Sequence, residues 1–208
     1  MATLTHQLSN GSVFLTLLCA KWLVTPLQRI STPQSELNGA VLAVRLLFSI
    51  LHSHKLGNIA PKRAWIIGNS ECILACLEKA STALRRYFGS RVREKVETQA
   101  KIEQFYPVGY NGEWHHTHSV NNCVDRPTRL DSTIQDVSLG SEWQSGLAYL
   151  KLPPLEWPTN RTFCRRKDDL ISQGELRKRF EYFIRNVDTT QISGTNNLID
   201  IFITIYLE

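Results

Sequence analysis

A chain of 208 residues suits one domain, or one domain with an attached fragment; 42% apolar content is enough to build a core and argues against wholesale disorder. A formal charge of +5 and a pI near 9.0 permit a polyanionic partner without requiring one, since many basic proteins bind nothing of the kind. The five cysteines (19, 72, 76, 123 and 164) are odd in number and scattered, which argues against a disulfide scaffold and for a reducing compartment.

Residues 12–25 form a β-prone run interrupted by Lys21 and ended by Pro26. Val13 to Ala20 within it is apolar, but no Lys or Arg precedes it, so a sheet strand fits better than a secretory signal. Thr32-Pro33 reads as a helix start, with Thr as the N-cap and Pro at the first helical position. From Glu36 to Ser53, Leu37, Ala40, Val41, Val44, Phe48 and Leu51 recur at helical spacing. Gly57 and Pro61 mark a loop. Ala64 to Ile67 then reads as a strand that breaks at Gly68-Asn69-Ser70 into a helix from about Ser70 to Lys79. A strand end feeding a helix start is a common place for catalytic side chains in α/β proteins.

A longer helix is expected from about Ser81 to Ala100, with Leu84, Tyr87, Phe88, Val92 and Val96 as its apolar stripe. Arg85, Arg86, Arg91, Arg93 and Lys95 fall largely on the rest of its surface. "EWHHTHSV" reads as a short strand with Trp114 facing in. Leu152 to Asn160 holds three prolines and one tryptophan, which fits an extended, packed linker. A basic helix is expected over 174–186, and the last stretch, "NLIDIFITIYLE", is strongly β-prone. No uninterrupted apolar run approaches the roughly 18 residues of a membrane span. The order of elements suggests an α/β fold with a mixed sheet.

Three stretches, in this order, resemble the ribonuclease H region of Pao/BEL retrotransposon polyproteins. They are "LLCAKWLVTPLQRISTPQSELNGAVLAVRLL" from Leu17 to Leu47, "WIIGNSECILACL" from Trp65 to Leu77, and "EWHHTHSVNNCVDRPTR" from Glu113 to Arg129. "SEWQSGLAYLKLPPLEWP" is similar to the Trp/Gly/Pro-rich tail of that region, and "LRKRFEYFIRN" to the helix that opens the integrase part. The resemblance implies three segments: a ribonuclease H-like domain over 1–140, a Trp/Pro-rich linker over 141–165, and an integrase-region stub with a divergent tail over 166–208.

The fold so implied is a ribonuclease H-like mixed sheet flanked by helices. Its activity is cleavage of the RNA strand of an RNA–DNA hybrid by four carboxylates and two Mg²⁺ ions, since hard cations need anionic oxygens. Carried over, the Glu that opens the first helix is Glu36, the Asp that ends the strand before the second helix falls on Asn69, and the Asp of the last motif is Asp125. The fourth carboxylate belongs to a central first strand expected upstream of Met1, so the sheet is expected to be truncated at its N-terminal end. Ala2 to Leu8 looks too short and polar to replace that strand, and a split or reorganised sheet is expected. Leu198 to Leu207 offers a substitute. With Glu36 and Asp125 as the remaining metal ligands, Mg²⁺ is implied by resemblance but not expected to be retained.

Each signal has a plainer reading. Glu36 alone is a first-turn acid that suits the helix dipole, and Asp125 alone is a surface cap. His115, His116, His118 and Cys123 match no common zinc spacing, and successive strand residues point to opposite faces. Cys72 and Cys76, one helical turn apart, fit a buried core. The basic helix fits a solvated face, or phosphate contact with a hybrid or duplex. The expected function is therefore a retroelement remnant without enzymatic activity of its own. The alternatives are a non-catalytic RNA/DNA-binding module, or a two-metal nuclease completed by another chain. No membrane partner and no small-molecule cofactor are expected, and the expected location is cytoplasmic or nuclear.

Overall fold

The computed structural model of the chain describes residues 1–21, 30–56, 63–106, 112–124, 131–160 and 201–207. Two strands open it, β1 (Ala2–Gln7) and β2 (Val13–Cys19), paired antiparallel with Thr5 opposite Leu15. Helix α1 (Thr32–Leu56) follows. The Ser31 backbone N–H donates to the Gln34 side chain at 2.9 Å, so the cap is Ser31 rather than Thr32. Next come β3 (Arg63–Gly68), α2 (Glu71–Leu77), α3 (Arg86–Phe105) and β4 (Glu113–Thr117). The short helix α4 (Glu142–Ser145), strand β5 (Thr159–Asn160) and strand β6 (Ile201–Leu207) complete the described elements. The expected basic helix over 174–186 lies outside the described residues.

One six-stranded sheet runs in the order β2-β1-β6-β3-β4-β5. β1 and β6 are parallel, β6 and β3 antiparallel, β3 and β4 parallel, and β4 and β5 antiparallel. This is the α/β architecture expected, a mixed sheet flanked by helices and consistent with a ribonuclease H-like fold. Ala2–Gln7 is a full strand whose β-branched Thr3 and Thr5 suit a pleated surface and are buried there, but it lies beside the central place and does not fill it; residues 201–207, within the expected substitute run Leu198 to Leu207, fill it. The sheet is not split. β6 enters from the far end of the sequence and joins the β1–β2 hairpin to β3.

The period of two along β3 sorts its side chains onto two cores. Ala64 and Ile66 face α1, through Val44, Leu47 and Leu51, and Ile102 of α3. Leu47 and Leu51 are fully buried, each contributing about 1.5–3 kcal/mol. Trp65 and Ile67 face the other way, onto Trp143, Leu147, Leu150 and Trp157. The Trp/Pro-rich segment therefore covers the second face of the sheet, where no long helix is described. Gly146 lets it lie close: its φ is 79°, and a Cβ there would meet Leu15 at 2.9 Å. α1 over Thr32–Ser53 is long and apolar enough by length and composition to cross a bilayer, but its apolar face is the core of this sheet.

Candidate active site

The N-terminal part of α1, the end of β3 and the end of β4 meet at one corner of the sheet; Glu36 lies just past the first turn of α1, which holds no acid, so the first-turn reading of Glu36 is corrected. β3 and β4 run parallel with Gly68 opposite His116, so the residues that follow each strand emerge side by side. Ser70 caps α2 with extended backbone, which ends the strand conformation and turns the chain at Asn69-Ser70. The Ser70 hydroxyl donates to the Glu36 carboxylate at 2.8 Å, tying α1 to this turn.

Asn69 is the next partner. Its side-chain N–H donates to the Ser119 hydroxyl at 3.2 Å, and its backbone carbonyl lies 3.2 Å from His116 Nε2. A carbonyl can only accept, so that contact assigns the proton to Nε2 and leaves His116 Nδ1 facing Glu71 Oε1 at 3.8 Å. His116 is buried, and His118 stacks edge-on at 5.5 Å between ring centres. His115 points to the other side of the strand, with Nδ1 3.0 Å from Thr159 Oγ1. Among the described residues no group of three His, Cys, Asp or Glu side chains is placed to hold a metal ion, so the histidine cluster does not converge.

Burial pushes the Glu36 carboxyl above the ordinary carboxylate range, and the Ser70 hydroxyl offsets this only in part. Its contribution to stability is then greatest at low pH and is lost as pH rises through the raised folded-state value. Glu36→Gln should accordingly be neutral to stabilising at neutral pH, and should remove part of the gain that the wild-type chain shows on acidification. Urea midpoints of both chains across the mildly acidic range check this; a wild-type midpoint that falls relative to the variant there reverses the sign.

The structure brings Glu36 and Asn69 to one corner, while Asp125 lies outside the described residues. The central strand β6 reads Ile-Phe-Ile-Thr-Ile-Tyr-Leu and carries no carboxylate; the acids that flank it, Asp200 and Glu208, lie outside the described residues. The two described positions of the expected ligand set thus offer one carboxylate and one neutral amide; Glu71, 3.8 Å from His116, is a further described carboxylate at the corner and is largely exposed. Such a set does not fit a pair of divalent cations. Ser70, Glu71 and Ser119 were not singled out in the sequence. The sequence pattern starts the second helix at about Ser70, whereas Ser70 is the residue before its first turn.

Cys19, Cys72, Cys76 and Cys123 are free thiols, and Cys164 lies outside the described residues. Burial pushes the Cys123 thiol up to about 12, beside a cleft of about 450 Å³ bordered by Ser119, Asp136, Glu142 and Trp143. The Cys76 thiol donates a sulfur hydrogen bond to Cys72, which lowers the Cys72 pKa and raises that of Cys76.

The basic residues of α3 divide. Arg85, Arg86 and Arg93 are exposed. Arg91 bonds Glu94 at 3.2 Å and lies over the Tyr87 ring. Lys95 is a correction to the surface reading: with Phe88, Val92 and Ile102 buried, the helical period puts position 95 on the inner face, and Val96 is exposed instead. The Lys95 ammonium reaches the Leu77 carbonyl at 3.4 Å and the Trp114 ring at 6.0 Å, and burial lowers its pKa.

A family model described as the Pao retrotransposon-like RNaseH-like domain matches residues 1–66. No curated protein and no solved structure matches the chain. The matched segment holds β1, β2, α1 and β3 as far as Ile66, so it includes Glu36 and stops short of Asn69. Over residues 1–66 the chain is thus similar to the Pao retrotransposon-like RNaseH-like domain, the family that the sequence motifs resemble.

Proposed function

We propose that the chain is a retrotransposon-derived ribonuclease H-like domain that no longer hydrolyses RNA–DNA hybrids. The observation that carries this reading is the corner at the end of β3. The position that the family resemblance assigns to an Asp is Asn69, its amide N–H is committed to Ser119, and the neighbouring Glu36 is bonded to Ser70 in surroundings that disfavour its charge. Ribonuclease H-like domains use Mg²⁺ held by carboxylates; in this chain Glu36 and Asp125 are the inherited ligands, too few to offset two divalent charges. In this reading residues 166–208 include an integrase-like stub, with β6 at its end serving the sheet.

A hybrid cleavage assay with Mg²⁺ or Mn²⁺ tests it. The purified chain should cut no faster than a metal-only blank, and Asn69→Asp alone should not restore cutting. Clear cleavage by the unaltered chain sinks the proposal and favours a site completed by other residues or another chain.

A second reading, a non-catalytic nucleic-acid-binding module, draws support from the exposed Arg85, Arg86 and Arg93 in the first half of α3. Replacing all three by Ala should weaken hybrid or duplex binding and reduce the slope of log affinity against log salt by as much as about 3, on the order of 0.9 per phosphate contact. Lys95→Ala should leave that slope unchanged, since its ammonium is turned inward. Filter binding across a salt series decides; affinity indifferent to salt counts against the module.

A further inference from the structure

β6 sits in a slot with unusual terms of entry. On one side Ile203–Leu207 pair in parallel with Ala2–His6; on the other Ile201–Tyr206 pair antiparallel with Arg63–Gly68. Neighbouring strands lie about 4.8 Å apart, so β1 and β3 are separated by one strand's width and face each other with unsatisfied rows of N–H and C=O groups whenever β6 is withdrawn. Each neighbour has its other partner without it, β1 in the hairpin with β2 and β3 in the pair with β4. The slot therefore calls for one extended strand and nothing larger.

In sequence, residues 161–200 separate β5 from β6. The occupant itself is an uncharged run of β-branched, aromatic and leucine residues, the composition that pairs readily with another chain. We propose that the slot between β1 and β3 accepts residues 201–207 of a second copy as well as the chain's own, so that two copies pair by exchanging this strand. A strand seated from a second copy makes the same two ladders. What favours the chain's own strand is that it belongs to the same chain, for which an effective concentration on the order of millimolar is typical. At about 0.1 mM protein, roughly a tenth of the slots should hold a partner's strand. The proposal is independent of whether the corner at Asn69 is catalytic.

Arg63 and Tyr206 supply the test. They are opposite each other in the antiparallel pair, where Cα atoms lie about 4.5–5.5 Å apart, within reach of a disulfide. One full-length chain carries Arg63→Cys, a second carries Tyr206→Cys, and a third carries both. Under mild oxidation, the two single variants mixed at about 0.1 mM should yield a dimer joined between positions 63 and 206, identified by peptide mass and rising with concentration. The double variant, diluted well below that, should close the same link within one chain. An intrachain link with no 63–206 link in the mixture overturns the exchange. Failure of the double variant to close within the chain removes the strand from its slot and overturns the proposal as well.

Discussion

Replacing Ile203 by proline should cost the domain at least about 3 kcal/mol, a large share of the roughly 5–15 kcal/mol that a folded domain has in hand. Position 203 lies opposite Ala2 on one side and Ile66 on the other, in the strand that joins the two halves of the sheet. Proline there removes a ladder N–H and, in a strand flanked on both sides, has no solvent edge to turn towards. Because β6 is the hydrogen-bonded link between the β1–β2 hairpin and β3, the damage should spread to both neighbours. Amides of Ala2–His6 and of Arg63–Gly68 should lose exchange protection together, while α1 and α3 keep most of theirs. Ile203→Val, which keeps the N–H, should behave much like wild type. Unchanged protection of both neighbours in the proline variant would contradict the placement of 201–207 at the sheet's centre.

Trp157→Ala should be comparably damaging, at about 3–5 kcal/mol. The ring is 4% exposed and meets Trp65 edge-on at 5.0 Å and Tyr149 at 6.3 Å. Its indole N–H donates to the Leu152 carbonyl at 2.8 Å, which holds the 3₁₀ turns of the segment against the sheet. Removing the ring opens a cavity beneath Trp65 and leaves that carbonyl without its donor. Trp157→Phe separates the two effects: most of the packing stays, and the loss should fall to about 0.5–1.5 kcal/mol for the hydrogen bond. Chemical denaturation of the three chains checks the order. An Ala variant as stable as wild type would show that the Trp/Pro-rich segment is an appendage and not the cover of the second face.

The corner at Asn69 illustrates how far local pattern reaches. Strand, break and helix are visible between Ala64 and Lys79 because apolar runs and Gly-Asn-Ser punctuate them, and the identity of Asn69 was plain against the family motif. Its companions were not. Ser119 and His116 arrive through the pairing of β3 with β4, and Ser70 reaches Glu36 across 34 positions of sequence. Hydrogen bonds of this kind depend on which strands are neighbours, and a polar side chain carries no mark of its distant partner.

By itself the sequence determined the residue types at positions 36 and 69, the periods of α1 and α3, the continuous apolar run of β3 and the β-prone character of 201–207. Those properties are local, set by side-chain chemistry and spacing. Only the tertiary structure decided that β6 lies between β1 and β3, that Trp143 and Trp157 cover the face opposite α1, and that Lys95 turns inward while Arg85, Arg86 and Arg93 stay exposed. A strand's hydrogen-bonding edges are the same for any partner, so its place in a sheet is settled by burial and loop closure over the whole chain.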